Sequence, residues 1–172
     1  NLWQEGPPLR HFLFALAFVV GMLCTESAVA SEAEDFHEYY SYFHGTWITE
    51  QEGIESVVVC EDKGTYNLCS FNGGMGNEFW GYDPIKQVWS GFGRGGDSSW
   101  KLEMDRPVGD ALTAGVNSKF KGKMWRADGT TLLMKQVLNV IDDDNCFLEQ
   151  RTLQADGEEE VTQPTIKFRR AQ

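Results

Sequence analysis

The stretch that decides the fold is Ser99-Trp100-Lys101-Leu102-Glu103-Met104-Asp105, in which apolar and polar side chains alternate. In an extended chain, Trp100, Leu102 and Met104 point to one side and the residues between them point to the other. This period of two is typical of a β-strand with one buried face and one wet face. Residues 112–121 alternate in the same way. The sequence therefore predicts an antiparallel sheet.

The same signals continue outward from this stretch. Short runs rich in Val, Thr and aromatic residues alternate with Gly, Asn and Asp, which suit turns. We expect strands at 46–51, 54–61, 65–72, 77–82, 87–93, 98–105, 110–121, 123–127, 130–141, 146–153 and 159–170. Connections this short join neighbouring strands, which predicts a meander. Closure would remove the exposed sheet edges, so the predicted fold is all-β, an antiparallel meander barrel of about ten strands.

One short helix is predicted before the barrel, within residues 31–45. Ser31-Glu32-Ala33-Glu34 has the pattern of a capping box, and Gly45 ends the helical pattern. Aromatic residues recur between them at helical spacing, at Phe36, Tyr39, Tyr40 and Phe43. We expect this stripe to pack on the core of a barrel domain that covers residues 46–172.

Residues 1–30 predict a secretory signal peptide together with residues upstream of it. Arg10 and His11 form a basic start, residues 12–23 are apolar, and Ala28-Val29-Ala30 offers small residues to a signal peptidase. The apolar run is shorter than the roughly 20 residues that span a bilayer. We expect cleavage after Ala30 and a periplasmic or extracellular mature protein.

The charge of the chain limits its partners. The formal net charge is −11, and removing residues 1–30 leaves 24 acidic and 14 basic residues. An acidic surface repels nucleic-acid phosphates and anionic membranes. We therefore expect no nucleic-acid partner and no membrane association after signal cleavage. The oligomeric state stays open.

Metal and cofactor motifs are weak. His37 and His44 make only two of the four ligands that a zinc site needs. The acidic run at 142–145 lacks the twelve-residue loop and distant Glu of a dedicated calcium site, and a hairpin turn is the simpler interpretation. Neither a Gly-x-Ser-x-Gly elbow nor a phosphate-binding glycine loop is present. We predict no metal, no cofactor and no catalytic residue.

Aromatic residues are the richest signal in the barrel region. They either pack the core or line a cavity, since a barrel of eight or more strands can enclose a small molecule. We predict that a small apolar or amphipathic ligand binds among Trp80, Trp89, Trp100 and Trp125. An enzyme in the lumen, an isomerase or hydrolase, is an alternative that needs a buried carboxylate. Glu78, Glu103 and Glu149 are undistinguished candidates for it. A filled barrel acting through its surface is the third alternative.

Three cysteines follow the predicted cleavage site, Cys60, Cys69 and Cys146. An exported compartment permits a disulfide, and the first two flank a hairpin turn at 63–66. If Gly64 is the first residue of a two-residue type II′ turn, Cys60 lies directly opposite Cys69. Their Cα atoms would then be roughly 4.5 Å apart, which a disulfide accepts.

A second register competes with this one. A three-residue loop at 62–64 with a glycine bulge would place Cys60 opposite Tyr66, and Cys69 would face the other side of the sheet. The order Asp-Lys-Gly favours this loop, whereas export and the paired spacing favour the first register. We predict the Cys60–Cys69 bridge, with Cys146 left free.

Both ends of the barrel region resemble the lipocalins and the wider calycin superfamily. Gly45-Thr46-Trp47 follows a short helix at the start of the first strand, and Arg169 and Arg170 end the last strand. Lipocalins have a Gly-x-Trp opening whose indole is covered by an Arg from the final strand. The resemblance implies that one of the two arginines covers Trp47. Strand parity points Arg170 inward and Arg169 outward, and the choice between them stays open.

A closer resemblance is to a bacterial domain-of-unknown-function family of calycin-like barrels. It rests on Gly81-Tyr82-Asp83-Pro84-Ile85-Lys86, followed by Trp89-Ser90-Gly91-Phe92, and covers residues 40–170. It implies the calycin barrel and lends no activity. The Thr-Asp-Tyr motif of lipocalins is missing. Haem-binding relatives use a His near the C-terminus, and no His follows His44, so haem is not expected.

Overall fold

A computed structural model describes residues 32–104, 117–154 and 160–172. The chain divides into a short unit, Asn1–Asp35, and a compact unit, Phe36–Gln172. Of the short unit, residues 32–35 are described and are helical. The predicted signal peptide and its cleavage site after Ala30 lie outside the described residues.

Ten antiparallel strands close into a barrel. The strands are β1 (Gly45–Gln51), β2 (Ile54–Asp62), β3 (Asn67–Phe71), β4 (Gly76–Asp83), β5 (Val88–Gly95), β6 (Ser98–Met104), β7 (Asn117–Arg126), β8 (Thr131–Asp142), β9 (Asn145–Gln154) and β10 (Glu160–Arg170). Each strand pairs with the next one in the chain, and β10 pairs with β1. The predicted fold class, an antiparallel meander barrel with one short helix, is confirmed. Among the described residues, no helix combines the length and apolarity needed to span a bilayer.

One predicted strand boundary is wrong. The predicted strands 110–121 and 123–127 are not separate, because the described residues Asn117–Arg126 form a single strand, β7. Residues 105–116 lie outside the described residues. Gly122, between them, continues the ladder with β6. A Cβ added at Gly122 would lie 1.9 Å from the Lys101 carbonyl oxygen. The glycine therefore allows close approach of β6 and β7 instead of ending the strand.

The helix, α1, covers residues 32–41, inside the predicted range of 31–45. A turn follows it, with Phe43 N donating to Tyr40 O at 3.0 Å and His44 N donating to Ser41 O at 3.2 Å. Gly45 then begins β1 with φ at 108°, a backbone conformation that favours glycine. The chain thus passes directly from the helix into the barrel wall.

The part of the helix that belongs to the compact unit, residues 36–41, closes one end of the barrel. Its aromatic stripe is buried, and Phe36, Tyr39 and Tyr40 form a core cluster with Trp80, Trp89, Leu102, Met104 and Met134. We call the end of the barrel that the helix covers the closed end. Because β1 runs away from the helix and the strands alternate in direction, the β1–β2, β3–β4, β5–β6 and β7–β8 turns lie at the other end, which we call the open end.

Candidate ligand-binding cavity

A cavity of about 540 Å³ lies inside the barrel. Tyr40 and Phe43, next to the closed end, form its floor. Asn72, Met75 and Gly96, in the turns of the open end, form its rim. The volume falls within the roughly 300–1,000 Å³ that is usual for small-molecule sites.

Two indole rings line the wall of the cavity, and glycines make room for them. Trp80 on β4 is paired with Gly91 on β5, and Trp100 on β6 is paired with Gly93. A Cβ added at Gly91 would lie 2.4 Å from the Trp80 ring, and one at Gly93 would lie 2.3 Å from the Trp100 ring. Any larger residue at Gly91 or Gly93 would collide with these rings. The two glycines therefore keep the indoles against the wall.

Glu78 is the acid of the cavity. It lies on β4 two residues before Trp80, so both side chains face inward, and its carboxylate Oε1 accepts a hydrogen bond from Trp100 Nε1 at 3.1 Å. Burial inside the barrel raises the pKa of Glu78 above its usual 4.5, against the lowering effect of hydrogen bonds from Trp100 and Trp80. The side chain is only half-buried by surface area, because its exposed part faces the cavity.

The remaining polar groups on the described cavity wall are uncharged. Gln136 on β8 and Gln150 on β9 are paired across the ladder, and Gln136 Nε2 donates to Gln150 Oε1 at 3.0 Å. In a ten-strand barrel β9 is five strands from β4, so this amide pair faces Glu78 from the opposite wall. Among the described lining residues, Glu78 is the sole carboxylate, and no Lys, Arg or His is present.

Two of the four predicted ligand-binding residues do not line the cavity. Trp89 is buried among the helix aromatics, with its ring centroid 5.4 Å from Phe36 and 5.5 Å from Tyr39. It belongs to the core below the floor. Trp125 faces outward and is 40 % exposed, because it follows Met124, which faces the cavity. Trp80 and Trp100 are the two that the structure brings together.

A Trp–Arg pair lies at the closed end, between β1 and β10. Trp47 is 1 % exposed, and its Nε1 donates to Phe43 O at 2.8 Å. The guanidinium carbon of Arg170 lies 4.3 Å from the Trp47 ring centroid. Arg169 faces outward and pairs with Glu55 at 3.1 Å. Of the two arginines that were considered for this role, Arg170 is the one that covers the indole.

Cys60 and Cys69 are joined by a disulfide on the cavity wall. Lys63 N donates to Tyr66 O at 2.9 Å, and Gly64, the first residue between them, has φ at 86°. This is the first of the two registers considered from the sequence. Cys146 is free and buried, and burial raises the pKa of its thiol to about 12. Its thiolate is therefore scarce at neutral pH.

The described residues contain no group of three or more His, Cys, Asp or Glu side chains that could hold a metal ion. The acidic run after β8 is a hairpin turn, in which Asp142 Oδ1 accepts hydrogen bonds from Asp144 N at 2.9 Å and Asn145 Nδ2 at 2.7 Å. His44 contacts the Asn67 side chain at 2.5 Å. The acidic turn and His44 are therefore held by protein partners.

Sequence reasoning did not single out Glu78 or the glutamine pair. The signal was present, since Glu78 shares strand parity with Trp80, and Gln136 shares it with the apolar Met134 and Leu138. No family model matches the chain, and no curated protein matches it.

Proposed function

We propose that this protein is an exported, calycin-like barrel that binds a small apolar or amphipathic ligand in its lumen. The observation that carries the proposal is the 540 Å³ cavity, with Trp80 and Trp100 held against its wall by two glycines. A closed barrel of eight or more strands with a cavity of this size can enclose a small molecule.

The calycin assignment is supported by the closed end. A short helix precedes the first strand, and Arg170 from the last strand covers Trp47. This arrangement matches what the lipocalin resemblance implies. Export is supported by the signal-like pattern of residues 10–30. N-terminal sequencing of the exported protein should begin at Ser31, and a mature chain that retains residues 12–23 would refute export by cleavage.

An enzyme in the lumen is the second candidate, and Glu78 is the observation that favours it. A carboxyl with a raised pKa in an apolar cavity suits a general base. The described lining offers no second carboxylate and no His as its partner. Binding therefore has the broader support. The third alternative, a filled barrel, is disfavoured by the cavity volume.

Binding can be tested with the neutral fluorophore N-phenyl-1-naphthylamine and a cavity-filling variant. Leu148 lines the cavity on β9, and its neighbour Phe147 alternates to the outer face. We expect saturable one-to-one fluorescence enhancement with the wild-type protein and with Phe147→Trp, and its loss in Leu148→Trp. Native mass spectrometry of protein purified from its host should show a co-purified small molecule. Equal binding by both variants would refute a lumen site.

A further inference from the structure

We propose that the lumen selects amphipathic ligands that carry a protonated amine, with Glu78 as the counter-ion of the ammonium group. This inference rests on the proposed binding function and names its ligand class.

The described cavity wall carries negative charge and no positive charge. Glu78 is the sole ionisable carboxylate among the described lining residues, and none of those residues is basic. None of the ion pairs between described residues involves Glu78, whose direct hydrogen-bond partners are indole N–H groups. An ionised Glu78 therefore lacks a cationic partner within the described barrel. A carboxylate in a low-dielectric site gains most from a cation that can approach it directly.

Three aromatic side chains lie near the same carboxylate. The indole N–H groups of Trp80 and Trp100 are its hydrogen-bond partners. Tyr40 lies close enough that a negative charge on Glu78 contributes to the raised pKa of its phenol. Indole and phenol faces attract alkylammonium groups, most strongly where water is excluded. Below and around them, the wall is apolar, with residues such as Met134, Leu138 and Phe120. An alkyl or aryl body would fit there while its ammonium meets Glu78.

An anionic ligand would be repelled by the carboxylate in the cavity. A fatty carboxylate would bring like charge to Glu78 with no described basic residue to receive it, which is unfavourable in a cavity of low dielectric. The net charge of −11 adds a long-range preference of the same sign, since it attracts cations and repels anions. An uncharged alcohol gains one hydrogen bond and no charge pair. The expected order of affinity is amine, then alcohol, then carboxylate.

Three ligands with the same alkyl chain test this order, namely decylamine, 1-decanol and decanoate. Each is titrated into the purified protein by isothermal titration calorimetry at pH 7. We expect decylamine to bind about tenfold tighter than 1-decanol, as an added charge pair and cation–π contact allow. Decanoate should bind most weakly. In Glu78→Gln the ratio of amine to alcohol affinity should fall to near one.

A matched control is Glu103→Gln. Glu103 lies on the outer face of β6 and pairs with Lys101 at 3.7 Å, so its replacement should keep the tenfold ratio. If N-phenyl-1-naphthylamine binds but 1-decanol or decanoate binds as tightly as decylamine, the amine proposal is overturned and the binding function survives. If neither the fluorophore nor any decyl ligand binds, the binding function itself fails. The wild-type titrations decide between these outcomes even if Glu78→Gln does not fold.

Discussion

Replacing Arg170 with Met should destabilise the barrel far more than the same change at Arg169. Arg170 lies over the Trp47 ring and donates hydrogen bonds to Tyr42 O at 2.8 Å, to His44 O at 2.9 Å and to Asp143 O at 3.2 Å. It therefore ties the segment after the helix to the β8–β9 turn and covers the indole. Met keeps the length of the aliphatic stem and removes every one of these polar contacts.

The expected cost follows from these contacts. Hydrogen bonds to a charged donor contribute about 1.5–3 kcal/mol when buried, and we take about 1 kcal/mol each because the Arg170 side chain is 31 % exposed. The cation–π contact adds about 1 kcal/mol. The ion pair with Asp144 is counted as nothing, because Asp144 is 70 % exposed. The variant should lose about 3–4 kcal/mol of unfolding free energy.

Arg169 supplies the control. It pairs with Glu55, and both side chains are more than half exposed, so Arg169→Met should change stability by less than about 0.5 kcal/mol. Urea unfolding followed by tryptophan fluorescence gives both values, and the Arg170 variant should also melt roughly 10 °C lower. Should the two variants unfold within about 1 kcal/mol of each other, the contacts of Arg170 do not stabilise the closed end.

Three further predictions concern the cavity wall. Gly93→Ala should lower the unfolding free energy measured in urea by about 2–3 kcal/mol, because the added Cβ would lie 2.3 Å from the Trp100 ring. Gly95→Ala is the control and should cost less than half of that, because the atoms nearest to its added Cβ are 3.6 Å away. Breaking the Cys60–Cys69 disulfide should cost about 2–3 kcal/mol for a sequence separation of 9. In an unfolded, unreduced chain that begins at Ser31, one free thiol should titrate, and three would contradict the bridge. Burial raises the pKa of Glu78, so its ionisation destabilises the fold at a pH above its folded pKa, and this effect vanishes below its unfolded pKa. Glu78→Gln should therefore raise the unfolding free energy at pH 8 more than at pH 4, and a pH-independent effect would contradict the assignment.

The fold could be predicted because strand periodicity and turn residues are local properties. The alternation at 99–105 corresponds to β6. Because the turns are short, each strand can pair only with the strands next to it in the chain. The choice between Arg169 and Arg170 also follows from parity, once the register of β10 is known. Local patterns do not give the depth of a residue within a barrel. Trp80 and Trp89 both face inward and belong to the same core cluster, yet Trp80 also lines the cavity and Trp89 does not.

The open lumen itself could not be predicted from composition. Whether aromatic residues fill a barrel or line it depends on which residues are opposite them across the ladder. The structure shows that Gly91 and Gly93 accommodate indoles, and their positions in the sequence do not reveal this role. Similarly, Glu78 was indistinguishable from Glu103 until inward and outward faces were assigned by register.

The seam between β1 and β10 has a consequence for the order of folding. Trp47 is paired with Arg170, so the first strand to be synthesised finds one of its two neighbours only when the last strand has been made. Until then β1 has an unpaired edge, and the helix has an incomplete wall to pack on. Contacts between such distant parts of a chain slow folding. Closure is therefore expected to be post-translational, and a nascent chain that stays open until its final strand appears remains a substrate for chaperones.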